Sequence, residues 1–218
     1  MHAAHQARRE GGAQTRQRLL DTAEDLFSRV PIEAVSVRSI NAAAGFAPAA
    51  INYHFGTKER LLRAVIARRG TEVLALTLSH VEALESRPDV PSTVGLVTAI
   101  ANPLFAVVDA APIGGASWVR LTARLSQARD PLIARPGEPD QLDARILAQV
   151  TRRYPNTLFG PLESRWRLAI FAMMSTIGDG VGTHDRDVVV QFTASGFDAI
   201  MATAPTICRQ TPRQSPSG

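Results

Sequence analysis

Arg38, Asn52, Tyr53 and His54 are the side chains here best suited to reading a polyanion with sequence preference. The planar fork of Arg38 matches guanine O6 and N7, or failing that a phosphate. Asn52 can pair through both ends of its amide with adenine N6 and N7. Around them stand Ala47, Ala49 and Ala50, small enough for a helix to approach a groove closely and touch thymine methyls. Tyr53 and His54 add polar, aromatic tips, although packing against Phe55 and the first helix of the chain would also occupy them. The sequence offers no rival set for catalysis. G-x-S-x-G, H-E-x-x-H and G-x-x-x-x-G-K-[ST] are absent, and the one cysteine, Cys208, makes no zinc pair. No catalytic residue, metal ligand or cofactor is therefore expected. His80 and His184 are far apart in sequence, and Gly178, Gly180 and Gly182 follow no strand that would make them a nucleotide loop.

The elements that must hold those side chains are written in residues 36–58, SVRSINAAAGFAPAAINYHFGTK. Ser36 is suited to cap a helix by accepting a first-turn amide. Val37, Ile40 and Ala44 fall on one face of the two turns that follow. Gly45 sits where a helix-ending residue turns left-handed, which glycine does without steric cost. Pro48 stands at the expected first position of a second short helix, Pro48 to His54, where its missing N–H costs nothing. Two helices joined by a glycine turn, the second carrying polar and aromatic side chains, form the helix-turn-helix pattern for the DNA major groove. Ser36, Arg38, Ala47, Pro48, Ala49, Asn52, Tyr53 and His54 are thus the expected DNA surface, with Lys58 beside them. Thr57 reads as the cap of a further helix and Lys58 as its first residue, where a cation opposes the helix dipole unless a phosphate sits against it. Ahead of the pair, Leu19, Leu20, Ala23, Leu26, Phe27 and Val30 form one apolar stripe. That helix is expected over Thr15–Arg29, with Pro31 forbidding continuation.

Charge is uneven along the chain. Residues 1–69 hold eleven Lys and Arg against six Asp and Glu, and residues 70–218 hold thirteen against fourteen, so the net +4 comes from the first third. A basic patch attracts a polyanion and releases its counterions. With no run of eighteen apolar residues, no membrane span is expected. The basic opening MHAAHQARREGGAQTR has no apolar stretch behind it, and one cysteine gives no disulfide framework. A cytoplasmic protein with no membrane partner is the expectation.

The stretch from Leu19 to Val65 resembles the N-terminal domain of the tetracycline-repressor (TetR/AcrR) family of bacterial regulators. The resemblance is carried by LLDTAEDLF in the first helix, VRSI, AAGF at the turn and INYHFGTKERLLRAV beyond it, about a fifth of the chain. It implies an all-α fold: an N-terminal three-helix DNA-binding domain with a helix-turn-helix, then a larger C-terminal helical domain for ligand binding and dimerisation. It also implies base reading at Arg38 and phosphate binding through the Tyr53 hydroxyl and the His54 ring N–H. Three residues depart from the pattern. Ala47 stands where the family commonly has a capping Ser or Thr, and cannot cap. Asn41 replaces a usual alanine, leaving open an extra phosphate contact or an exposed polar residue. A glycine usual near Val30–Pro31 is missing, so that loop is expected to take another path.

The expected organisation is an irregular basic arm over 1–14, a DNA-binding domain over 15–60, a helical domain over 61–204 and an irregular tail over 205–218, rich in Pro, Ser, Thr and Gln. Arg8 and Arg9 of the arm can follow a minor groove. Helices are expected from Lys58 to Leu84, then at about Thr93–Ala110 with Pro103 inside, Gly115–Ala128, Gln141–Tyr154, Leu162–Gly178 and Arg186–Ala202, with a loop across 132–139. The last two are apolar on more than one face, more than a surface helix needs. The resemblance implies that they pair with their copies, Ile170, Met174, Ile177, Phe192, Phe197 and Ile200 facing the partner; a pair buried within one chain is the alternative. It also implies a small-molecule effector among the middle helices, lined by Phe105, Trp118, Leu121, Trp166 and Met173 and anchored by Arg120 or Arg124, with plain core as the alternative. The function expected is a homodimeric repressor released from double-stranded operator DNA by that effector. The alternative is a small-molecule-binding helical dimer whose DNA head is weak or vestigial.

Overall fold

Leu19, Ala23 and Phe27 recur one turn apart along the first helix, and none of them is exposed. The structure, a computed structural model, describes residues 2–128, 141–180 and 185–204. Helix α1 spans His2–Arg29 and is followed by a 3-10 turn at Ile32–Ala34, α2 at Val37–Ala44 and α3 at Ala50–His54. Then come α4 (Lys58–Glu85), α5 (Thr93–Ala110), α6 (Pro112–Ala128), α7 (Gln141–Arg153), α8 (Phe159–Gly178) and α9 (Arg186–Ala202). Among the described residues every regular element is helical, so the fold is all-α.

Two departures from the sequence reading concern glycine and proline. Residues 2–14, expected as an irregular arm, are helical and continue α1 back to His2. The Ala, Gln, Arg and Glu residues around Gly11 and Gly12 are strong helix formers and outweigh the two glycines. Helices α6 and α8 each begin three residues before the expected start, at Pro112 and Phe159. Proline is tolerated in a first turn, where its missing N–H has no partner to lose, so Pro112 and Pro161 do not act as breakers. The expected loop over 132–139 and tail over 205–218 lie outside the described residues.

The α1 stripe packs in one core with Ile40 of α2, Ile51 of α3 and Leu61 and Val65 of α4, all fully buried. Val30, expected to extend the stripe, is exposed because α1 has already ended ahead of Pro31. Beyond α4, α5 runs through the middle of the body and touches α4, α6, α7, α8 and α9. By length and composition α5 could cross a membrane, with mean hydropathy 1.6, but most of it is buried in this core. Helix α8 lies hard against α6 at Gly178, where a Cβ would meet the Arg120 backbone nitrogen at 2.8 Å. Only glycine permits that approach.

Polar ties cross the same core. Arg68 of α4 donates to Asp21 at 2.6 Å and pairs with Glu24, both on α1, while Arg69 stands 3.5 Å from Glu24. Burial pushes the Glu24 carboxyl above its ordinary range, against the opposing pull of Arg68 and Arg69. At the far end of the body, the Tyr154 hydroxyl lies 2.8 Å from Thr93 Oγ1 and donates to the Asp198 carboxylate, which Thr93 also reaches at 2.6 Å. Burial first, and the Asp198 bond second, push Tyr154 up from 10.0 to about 12. In that window the folded chain keeps a proton that the unfolded chain releases, so this stability is full below the lower value and lost as pH rises through the upper. In a Tyr53→Phe variant, tyrosinate absorbance reports Tyr154 alone and should titrate at about 12. Tyr154→Phe should remove its share of the alkaline loss of stability, read as a flatter denaturation midpoint against pH.

Candidate nucleic-acid interface

Helix α2 is capped at its start by a reciprocal pair: Ser36 Oγ accepts the Ser39 N–H at 2.9 Å, and Ser39 Oγ accepts the Ser36 N–H at 3.0 Å. It ends at Gly45, which takes φ 75° as its place in the turn required, and the Phe46 N–H returns to Asn41 O at 2.9 Å. Helix α3 starts at Ala50 rather than Pro48; Pro48 and Ala49 form a turn in which the Ala50 N–H reaches Ala47 O at 3.0 Å. Ile51 and Phe55, one turn apart, are buried. That fixes what faces out. Ser36, Arg38, Ala47, Pro48, Ala49 and Asn52 are exposed, and Tyr53 is 83% exposed. The Tyr53 ring stands edge-on to His54 at 5.0 Å, and His54 is half-buried, 6.4 Å from the Phe55 ring. Packing inward thus accounts for part of His54 and for none of Tyr53.

Two residues do not stand where the sequence reading put them. Lys58 is a first-turn cation, but its ammonium donates to the carbonyls of Ile32 and Val35, each at 3.0 Å. The carbonyls of the 3-10 turn, not a phosphate, resolve its conflict with the helix dipole. Asn41 is neither exposed nor turned to a phosphate: it is 1% exposed, with its amide between Pro48 O and the Ile51 N–H. Two cations went unnoticed. Arg18 stacks over Phe46 at 5.3 Å and Arg16 over Phe55 at 4.9 Å, so exposed guanidiniums of α1 stand beside the turn that follows α2 and beside the end of α3. The basic spacing in TRQRLL was their only trace in the sequence. Side chains of Arg8 and Arg9 lie outside those described.

Residues 19–65 match the family model described as bacterial regulatory proteins, tetR family. That segment resembles the tetR family. Most of the chain shares its fold with solved structures, two of them as follows. One is a TetR-like transcriptional regulator from Rhodococcus sp. RHA1, at 19% identity and TM-score 0.54, covering 87% of this chain and 96% of that one. The other is a gamma-butyrolactone receptor (ArpA-like protein), at 16% identity and TM-score 0.51, covering 88% and 96%. No curated protein matches the sequence.

In this tetR-like chain the body residues divide differently from expectation. Phe105, Trp118, Leu121, Trp166 and Met173 are all 4% exposed or less and belong to the core, and the Trp118 ring N–H donates to Ile66 O at 3.2 Å. The two arginines expected as ligand anchors hold helix ends instead. Arg120 bonds Asp179 at 2.9 Å and Gly178 O at 2.5 Å, closing the end of α8. Arg124 Nη1 donates to Val30 O at 3.0 Å, with Ser28 O and Phe27 O at 3.3 and 3.4 Å, closing the end of α1. A cleft of about 290 Å³ lies between Pro31–Glu33 and the last turns of α6, with Arg124 and Leu121 on its wall. Of the six residues expected to face a partner, Ile177 and Phe197 point into the chain's own core at 0 and 1% exposure. Ile170 and Met174 are half-buried, and Phe192 and Ile200 stand in solvent.

Lys58→Ala should lower stability by about 1–3 kcal/mol, since two part-buried carbonyls lose a charged donor. Urea denaturation measures it. The same variant should leave the salt slope of DNA binding unaltered, whereas loss of a phosphate contact would reduce that slope by about one.

Proposed function

We propose that the chain is a homodimeric, cytoplasmic transcriptional repressor that covers double-stranded operator DNA and is released by a small-molecule effector. Family-level likeness supports a tetR-like regulator. The observation that carries DNA reading is α3 itself: Ile51 and Phe55 are buried, while Asn52 and Tyr53 stand in solvent beside exposed Arg38. A surface of that kind offers one guanine reader, one adenine reader and a hydroxyl for phosphate. In this reading residues 15–60 are the DNA head and 61–204 the body. Arg16, at the end of α3, and Arg18, at the turn after α2, add phosphate partners.

Support for a homodimer comes from the outer face of α8 and α9. Val188, Phe192, Ser195 and Ala199 recur along one exposed stripe of α9, and Leu168 and Ala172 are exposed on α8. Large apolar side chains alternating with small ones suit the self-complementary packing of a two-fold interface. Two heads would then meet half-sites about 34–36 Å apart. The effector would enter the body by parting buried side chains such as Trp118 and Met173, and would act only as far as it prefers the opened state. The fold shared with a gamma-butyrolactone receptor supports a small molecule in that role. No observation favours a head without DNA.

A mobility-shift titration against the duplex upstream of the chain's own gene should give a sequence-preferring complex that weakens steeply with salt. Arg38→Ala should cost about 1–3 kcal/mol and relax preference at one position per half-site. Absence of any salt-sensitive, sequence-preferring complex sinks the reading. Phe192→Asp should convert the dimer to a monomer by sedimentation velocity and abolish the specific complex; an unchanged mass would remove α9 from the interface.

A further inference from the structure

We infer that Asn41 serves as the cap of the recognition helix, supplied from the helix before it, and is thereby a positioning residue for DNA binding. The inference rests on the DNA reading above and adds a residue to it. Helix α3 has five residues, and the residue at its cap position, Ala49, makes no side-chain bond. Ala47, Pro48 and Ala49 present no oxygen or nitrogen on their side chains, so beyond Ala50, whose N–H meets Ala47 O, the first-turn amides find no local side-chain acceptor. The neighbouring helices are treated otherwise. Ser36 accepts from Ser39 N, Thr57 from Arg60 N and Ser92 from Gly95 N, each across three residues. The same spacing at the start of α3 joins Ala49 to Asn52, and alanine cannot make the bond.

Asn41 makes up the deficit from across the turn. Its Oδ1 accepts the Ile51 N–H at 3.3 Å and its Nδ2 donates to Pro48 O at 2.7 Å, with the side chain buried. Its backbone carbonyl takes the Phe46 N–H at 2.9 Å, so one residue holds the end of α2, the turn and the start of α3. The amide orientation follows from the partners, because reversing it would set donor against donor and acceptor against acceptor. No shorter or simpler side chain does both: serine cannot span the gap, and aspartate lacks the donor and buries a charge. Ile51 is wholly buried and is followed at once by Asn52 and Tyr53, so a fixed Ile51 amide fixes the direction of the two reading residues.

The test uses the full-length chain and four variants: Asn41→Ala, Asn41→Asp, Ala49→Ser, and Asn41→Ala with Ala49→Ser. Hydrogen exchange on the free protein reads the cap without DNA, and the mobility shift reads its effect. Asn41→Ala should speed exchange of the Ile51 amide and weaken operator binding about fivefold, the loss of a typical cap. Asn41→Asp, which keeps only the acceptor, should bind no better than Asn41→Ala. The loss caused by Asn41→Ala should be at least about a third smaller in the Ala49→Ser background than in the parent chain, since a hydroxyl at 49 can take the Ile51 amide two residues on; each loss is measured against its own parent, so the serine's own effect on DNA binding drops out. Unaltered Ile51 exchange in Asn41→Ala, or weakened binding that the serine cannot rescue, overturns the inference. If the wild-type chain forms no specific complex, the DNA reading has failed instead, and the exchange arm still decides the cap.

Discussion

A helix of five residues cannot sustain itself in water, because nucleation fixes more dihedrals than one turn of hydrogen bonds repays. Helix α3 therefore exists only as far as its surroundings hold it, and the whole head is arranged for that purpose. Ile51 and Phe55 sink into the core made by Leu19, Ala23 and Phe27 of α1, Ile40 of α2 and Leu61 and Val65 of α4. Each large side chain buried there contributes about 1.5–3 kcal/mol. With positions 51 and 55 turned inward, helical geometry leaves 52 and 53 outside. The exposure of Asn52 and Tyr53 is thus a consequence of apolar burial behind them, and no separate device is needed to present them.

The head is not a free-standing unit. Helix α6 of the body lies against α1, and Arg124 places its guanidinium on the last carbonyls of that helix. One turn earlier, Arg120 does the same for the end of α8, at the point where Gly178 lets the two helices touch. A cation at a helix C-terminus is favourable, so each contact satisfies carbonyls that would otherwise lack donors. Earlier along α1, Arg68 joins Asp21 and Glu24 to α4. The first helix is therefore held by charge from both α6 and α4.

What could be read from the sequence was local, and what could not was relational. Ser36, Gly45 and Thr57 act through neighbours three or four residues away, and their roles were legible from spacing alone. Apolar periodicity likewise gave α1 its inward stripe and α5 and α9 their bounds. Lys58 and Asn41 escaped because their partners arrive through folding: Ile32 lies twenty-six residues from Lys58, and Asn41 meets Ile51 only after the chain has turned. A polar side chain in a DNA-binding head invites a phosphate, and sequence carries no sign that a carbonyl will claim it first. Proline misled at the starts of α6 and α8 because its cost depends on position within the turn, and glycine misled in α1 because the helix formers around it outweigh its cost. Arg16 and Arg18 were hidden for the opposite reason: exposed arginines on a helix look alike until a ring is found beneath them.

The excess apolarity of α8 and α9 shows why composition alone could not apportion core and interface. Two sinks draw on the same helices. Phe197 is taken by the chain's own core, edge-on to Trp166 at 5.1 Å and to Tyr154 at 5.4 Å, and Ile177 is buried with it. Phe192, Val188 and Leu168 remain outside, exposed to solvent among the described residues. A second copy seated on that face would join its α8 to α6, and through Arg124 to the end of α1 in the same chain. Helix α6 thus ties two helix ends together within one chain, that of α8 through Arg120 and that of α1 through Arg124.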